Sequence, residues 1–267
     1  MINTFQVGCD PEFVALDDKA KVINVARWNP EGEVGWDHTG RVIELRPKPC
    51  AGTFALVRRL QRLMKDEKLV KLAAKRFRAG ASCAGEMLGG HVHFGVPILF
   101  KTTWPKGHFY TLPDGSNIPQ EPLIELEDKL KGTLSALDKV THLLQHLDIL
   151  PLNESTNRRK GRYGKWGDIR DSGGHMEYRT MASWLYDPRV AFLCLTAAKL
   201  AAADPQGALD ALKNVTSFEG LGKWIALYKS KDQNARRALE KVIDKGLKSV
   251  QVDPDVDFRE RWEELGL

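Results

Sequence analysis

The chain has 267 residues, 42% of them hydrophobic and 28% charged, and no apolar run of the length a membrane-spanning helix needs, which argues against such a helix and leaves room for a sizeable core. Forty basic against 35 acidic residues give a net charge of +5, too balanced for a dedicated nucleic-acid binder and suited to anionic small molecules. The four cysteines (Cys9, Cys50, Cys83, Cys194) lack CxxC spacing, and Met1 to Gln6 carries no basic-then-apolar leader. Reduced thiols and a cytoplasmic location are the expectation.

Residues 3 to 16 read as a strand with Val7, Cys9 and Phe13 on one side and Asp10 and Glu12 on the other. Pro11 cannot donate to a ladder, which argues for an edge position or a local irregularity. Carboxylates two residues apart lie about 7 Å from each other along a strand, a costly arrangement on an inward face unless a cation sits beside them. Residues 21 to 46 read as a meander: a strand over Lys21–Val25, turn chemistry at Asp37–Gly40, then a strand over Arg41–Arg46 with Glu44 and Arg46 opposite Ile43 and Leu45. Pro47 and Pro49 end it, and Thr53 is placed to cap a helix running to about Arg78, its apolar stripe built from Leu56, Leu60, Leu63, Met64, Leu72, Ala73 and Phe77.

Gly89-Gly90-His91-Val92-His93-Phe94-Gly95 is the stretch around which the rest is organised. Alternation puts both imidazoles on one face and Val92 and Phe94 on the other. Residues 100 to 120 read as a loop or flap, and Pro122 to Leu150 as a long amphipathic helix on which His142 and His146 are surface neighbours. Residues 151 to 175 are rich in arginine, lysine and glycine and read as an electropositive loop that suits anions. Met176–Thr180 is a strand with Glu177 and Arg179 on one face, Pro188–Ala203 an apolar helix, and segments 206–213, 218–229 and 234–248 are helical. With no repeat or linker, residues 1–267 read as a single domain.

Asp10, Glu12, Glu44, His91, His93 and Glu177 therefore lie on four separate strands, each presenting polar groups on one face. On a shared sheet they would offer four carboxylates and two imidazoles, enough for two or three hard divalent ions such as magnesium or manganese. A rim of Arg158, Arg159, Arg170 and Arg179 would suit phosphoryl transfer, and the absence of GxxxxGK[ST] means that a nucleotide would not be held by a P-loop.

In that order, Gly8-Cys-Asp10-Pro-Glu12-Phe, Glu44-Leu-Arg-Pro, Gly-Gly-His91-Val-His93-Phe-Gly, the Arg/Tyr/Gly loop and Glu177-Tyr-Arg179 resemble the catalytic core of glutamine synthetases and glutamate-cysteine ligases. The likeness is greatest to the compact phage and bacterial amidoligases, and covers about residues 5 to 185. The resemblance implies an α+β fold, a curved and mainly antiparallel sheet binding ATP and metals on its concave face, with helices packed outside. It implies an enzyme that phosphorylates a carboxylate to an acyl phosphate and lets an amine displace phosphate, the acid being a small molecule or a peptide. Carried over, Glu12 and Glu44 hold one metal, and Asp10, His91 and Glu177 hold the metal that bridges the ATP phosphates. His93 lies near the substrate carboxylate. Arg179, with Arg158, Arg159 and Arg170, stabilises the phosphoryl group, while Arg158, Arg170, Tyr163 and Lys165 contact the nucleotide.

Asp10 departs from the glutamate of glutamine synthetases, a third acid for the first metal could be Asp37 or Glu86, and no separate N-terminal domain is visible. The same site could serve a guanidino-kinase-like phosphotransferase, a metal-dependent amide hydrolase, or a non-catalytic nucleotide-binding module. Oligomeric state and the role of residues 188–267 are left open. A phage-encoded chain would act in the host cytoplasm.

Overall fold

The structure, a computed structural model, describes residues 5–95, 120–151, 160, 163–171, 175–226, 237–238, 240–242 and 257–263, with the backbone alone at 39, 120–129 and 171. The strands are β1 (Gln6–Leu16), β2 (Val34–Asp37), β3 (Val42–Leu45), β4 (Arg76–Arg78), β5 (Ser82–Cys83), β6 (Glu86–Met87), β7 (Gly90–Gly95), β8 (Ile169–Asp171) and β9 (Met176–Tyr178). The helices are α1 (Thr53–Met64), α2 (Glu67–Val70), α3 (Gln120–His146), α4 (Pro188–Ala203), α5 (Pro205–Leu212), α6 (Phe218–Ala226) and α7 (Arg259–Glu263). The fold is α+β.

An antiparallel sheet runs in the order β2-β3-β1-β7-β9-β8, with β4 added to β1 beside that path. Alternation along each strand decides what the sheet does. Val7, Cys9, Phe13 and Ala15 of β1, Ile43 and Leu45 of β3, Val92 and Phe94 of β7, and Met176 and Tyr178 of β9 all enter one apolar core. Helices α1, α3 and α4 complete that core with residues such as Leu56, Leu60, Val140, Leu144, Phe192 and Leu195. The intervening positions face the other way and carry the acids and imidazoles, joined by a small apolar cluster of Val14, Leu16, Val42 and Leu88.

Pro11 is not at an edge. β1 lies between β3 and β7, and Pro11 stands opposite Gly90 at the end of the β7 pairing. On the other side, Glu12 faces Glu44, while Val7 faces Cys50. Five steps along β1 thus match six along the neighbouring chain, so the register slips beside the proline, the irregularity its missing N–H predicts.

The helix expected from Thr53 to Arg78 is three elements. α1 stops at Lys65, and the Asp66 carboxylate accepts from the backbone N–H of Lys68 to cap α2. The chain then alternates as Arg76-Phe77-Arg78 in β4 with Phe77 buried. The cap of α1 is Gly52, because the Thr53 hydroxyl is 2.9 Å from that of Thr196 on α4. Lys21–Val25 is not a strand, being represented by a single bridge between Val22 and Leu16, and the four-residue β2 is an addition to the expected meander. The helix over 188–203 agrees with the sequence reading to the residue: Asp187 caps it and Pro188 occupies its first turn. The flap expected at 100 to 120 lies outside the described residues except for its last position. Among the described residues, no helix is long and apolar enough to cross a membrane.

Candidate active site

The polar face gathers the residues that alternation singled out. Across β1 and β7 the register sets Asp10 opposite His91 and Gly8 opposite His93, and across β7 and β9 it sets His93 opposite Glu177. Beyond them, Arg170 on β8 faces Glu177, and Glu44 on β3 faces Glu12. Asp10, Glu12, Glu44, His91 and Glu177 are all buried.

His91 Nδ1 lies 3.2 Å from Asp10 Oδ1 and 3.4 Å from Glu177 Oε1, and His93 Nε2 lies 2.9 Å from Asp10 Oδ1. Among the described residues, Asp10, His91 and Glu177 form a group that could hold a cation, their donor atoms all lying within 4.8 Å of one another. The set fits a hard divalent ion, because two carboxylate oxygens and one imidazole nitrogen suit magnesium or manganese. Asp10 Oδ1 and His91 Nδ1 are buried without a hydrogen bond of good alignment between them, as expected of atoms aimed at a common point.

The electrostatics match. Burial alone would raise the Asp10 carboxyl, but His91 and His93 beside it hold it well below the usual carboxylate range. Burial would lower His91, and Asp10, Glu12 and Glu177 overcome this and raise it. Burial, with the charge of Asp10 next, pushes Glu44 up to about 10 despite an ion pair to Arg46. Crowded acids of this kind mark a place where positive charge belongs.

Glu12 is held differently: its carboxylate accepts the Gly89 N–H and the Tyr163 hydroxyl, the latter at 3.0 and 3.1 Å. The Tyr163 oxygen is also 2.7 Å from His91 Nε2, and the Arg179 guanidinium lies 5.0 Å from the centre of its ring. Glu177 collects Arg170 Nε at 2.7 Å and Arg179 Nε at 3.2 Å. The consecutive glycines before His91 are steric. A Cβ at Gly89 would sit 2.1 Å from His91 Nε2, and one at Gly90 would sit 2.5 Å from Trp184 Nε1. A cleft of about 470 Å3 opens beside Asp10 and His93 where the register slips, with Gly8, Arg46, Lys48, Pro49 and His175 on its walls.

Other expectations fare unequally. Asp37 and Glu86 are engaged elsewhere: Asp37 accepts from the His38 N–H to cap a short turn, and Glu86 pairs with Arg41 at 2.6 Å. Lys165 points to solvent, and its carbonyl accepts from the Thr180 hydroxyl at 2.7 Å. Arg158 and Arg159 lie outside the described residues. His142 and His146 sit on the exposed side of α3, as expected. His175, 2.8 Å from His93 Nδ1 through its Nε2, was not foreseen, because a lone histidine after two glycines gives no periodic signal.

Among solved structures, a bifunctional glutathione synthetase from Pasteurella multocida aligns at TM-score 0.47 and 10% identity, over 97% of this chain and 48% of that one. The chain thus spans about half its length. The complex of the prokaryotic ubiquitin-like protein Pup with its ligase PafA aligns at TM-score 0.45 and 12% identity, over 97% and 67% respectively. No curated protein matches. The family model described as phage phiEco32-like COOH.NH2 ligase-type 2 matches residues 7–106 and 130–252, which include Asp10, Glu12, Glu44, His91 and Glu177, and the chain belongs to that family of carbon–nitrogen ligases.

Proposed function

We propose that the protein is an ATP- and magnesium-dependent ligase that joins the carboxylate of a small molecule or peptide to an amine through an acyl phosphate. The observation that carries this reading is the convergence of Asp10, His91 and Glu177 in a chain of the carboxylate–amine ligase family. In this reading those three would hold the cation that accompanies the nucleotide, and Glu12 and Glu44, neighbours across β1 and β3, would hold a second. Bound magnesium or manganese would neutralise charge on the transferring phosphoryl group.

The protein's own side chains do the rest. Arg170 and Arg179, already drawn to Glu177, meet the phosphoryl oxygens, and Arg158 and Arg159 are assigned the same role from the sequence alone. Tyr163 borders the nucleotide, and His93 faces the acid in the cleft, whose volume of about 470 Å3 suits a ligand of amino-acid or dipeptide size. A substrate carboxylate oxygen attacks the γ-phosphorus and ADP leaves. The amine nitrogen then attacks the acyl carbon, phosphate departs and the nitrogen loses a proton. The chain acts as one catalytic unit in the cytoplasm, with α4, α5 and α6 contributing side chains to the core behind the polar face.

The test is release of ADP and phosphate from ATP on incubation with pooled acids and amines. Release should require both an acid and an amine, and should vanish in Glu177→Ala that retains its circular dichroism spectrum. Phosphate transfer without amide formation, or activity without nucleotide, would contradict the proposal.

A further inference from the structure

We propose that Tyr163 is a positioning residue that selects which nitrogen of His91 faces the cation site, tying that site to the turn at residues 163–168. The inference rests on the metal reading of Asp10, His91 and Glu177. A phenol has one proton, and the Tyr163 hydroxyl donates it to the Glu12 carboxylate at 3.0 and 3.1 Å, which has none to give when ionised. The same oxygen lies 2.7 Å from His91 Nε2 and can only accept there, so His91 carries its proton on Nε2. When a cation takes the place of any proton on Nδ1, that nitrogen turns its lone pair to the same point as Asp10 Oδ1, 3.2 Å away, and Glu177 Oε1, 3.4 Å away. Three electron-pair donors then face one another in a buried place, a set that a divalent cation completes. Hydrogen bonds from outside the ligand shell that fix a histidine's tautomer are ordinary supports of metal sites, and their loss costs roughly ten- to a hundredfold in metal affinity.

The support comes from a segment with braces of its own besides its contacts to the metal ligands. The Gly164 N–H donates to Asp168 Oδ2 at 3.0 Å, and the Thr180 hydroxyl donates to the Lys165 carbonyl at 2.7 Å. The Arg179 N–H donates to the Asp168 carbonyl at 2.8 Å, and the Arg179 guanidinium stacks on the Tyr163 ring. Closure of this turn on β9 therefore delivers the phenol to His91 and Glu12 together. A cation that needs Nδ1 free will favour the closed turn, and the closed turn will favour the cation.

The experiment is a manganese(II) titration of the full chain, followed by electron paramagnetic resonance, comparing wild type with Tyr163→Phe. Magnesium-free and magnesium-saturated nitrogen NMR of ring-labelled histidine accompanies it, with His91 assigned by His91→Gln. Wild type should bind manganese, Tyr163→Phe should bind at least tenfold more weakly while unfolding at a similar temperature without metal, and His91 should carry its proton on Nε2 alone once magnesium is bound. Equal affinity in the two proteins would overturn the assignment while leaving the metal site standing. Failure of wild type itself to bind would remove the metal reading and this inference with it. Should Tyr163→Phe not fold, the wild-type spectra decide alone, and a proton on Nδ1 in the presence of magnesium overturns the proposal.

Discussion

The two faces of the sheet are made by the same strands, one residue out of step, and opposite forces govern them. On one side of β1, Val7, Cys9, Phe13 and Ala15 are buried among helices, where each gains from leaving water. On the other side, Asp10 and Glu12 are buried just as deeply beside Glu44 and Glu177, where desolvation and mutual repulsion oppose folding. The core face supplies stability and the polar face consumes it. Because a strand separates the two by its period of two, stability and cation binding should respond to different substitutions.

The largest separation is expected at Glu177. Replacing it by glutamine keeps its shape but removes the charge that Arg170 and Arg179 meet. Turnover should fall about a thousandfold, equivalent to roughly 4 kcal/mol in the barrier, with little loss of folding, as read by ADP release beside a melting curve. The reverse pattern is expected for Phe13→Ala. Phe13 is fully buried, 5.0 Å from the Phe77 ring and 5.5 Å from the Phe258 ring, so unfolding free energy in urea should drop by about 3 kcal/mol or more. Manganese affinity of the folded fraction should be retained. Gly89→Ala tests the boundary between the faces: the new methyl meets His91 Nε2 and Tyr163 Oη, so manganese binding should weaken at least tenfold while the core is spared.

The smallest effect concerns pH. Glu44 is raised from 4.5 to about 10 in the folded chain, so across that interval the folded state holds a proton that the unfolded state has lost. Without metal, stability should fall as pH rises through the window, and Glu44→Gln should flatten the slope read in denaturant titrations. An unchanged slope would remove Glu44 as the source of the strain.

The sequence conveyed the faces better than the boundaries. Asp10, Glu12, Glu44, His91, His93 and Glu177 were legible because a charged residue repeating every second position among apolar ones admits one reading, a strand with two unlike sides. α4 was legible because Asp187 and Pro188 mark its start without ambiguity. The break after Met64 was obscured by arginines, lysines and leucines that keep a helical rhythm through Leu72, and its signal, Asp66 capping a new turn, is one residue long. The clustering of the acids could be expected from strand pattern and family likeness together, but not the roles of Tyr163 and His175. Both sit in irregular chain, where position follows from tertiary contacts and no periodicity announces it.

The central claim is that Asp10, His91 and Glu177 form a cage for a divalent cation. An anomalous difference map from crystals grown with manganese tests it most directly. The account predicts a peak within coordinating distance of Asp10 Oδ1, His91 Nδ1 and Glu177 Oε1, and saturating manganese that leaves this point empty, or settles only elsewhere, would contradict it.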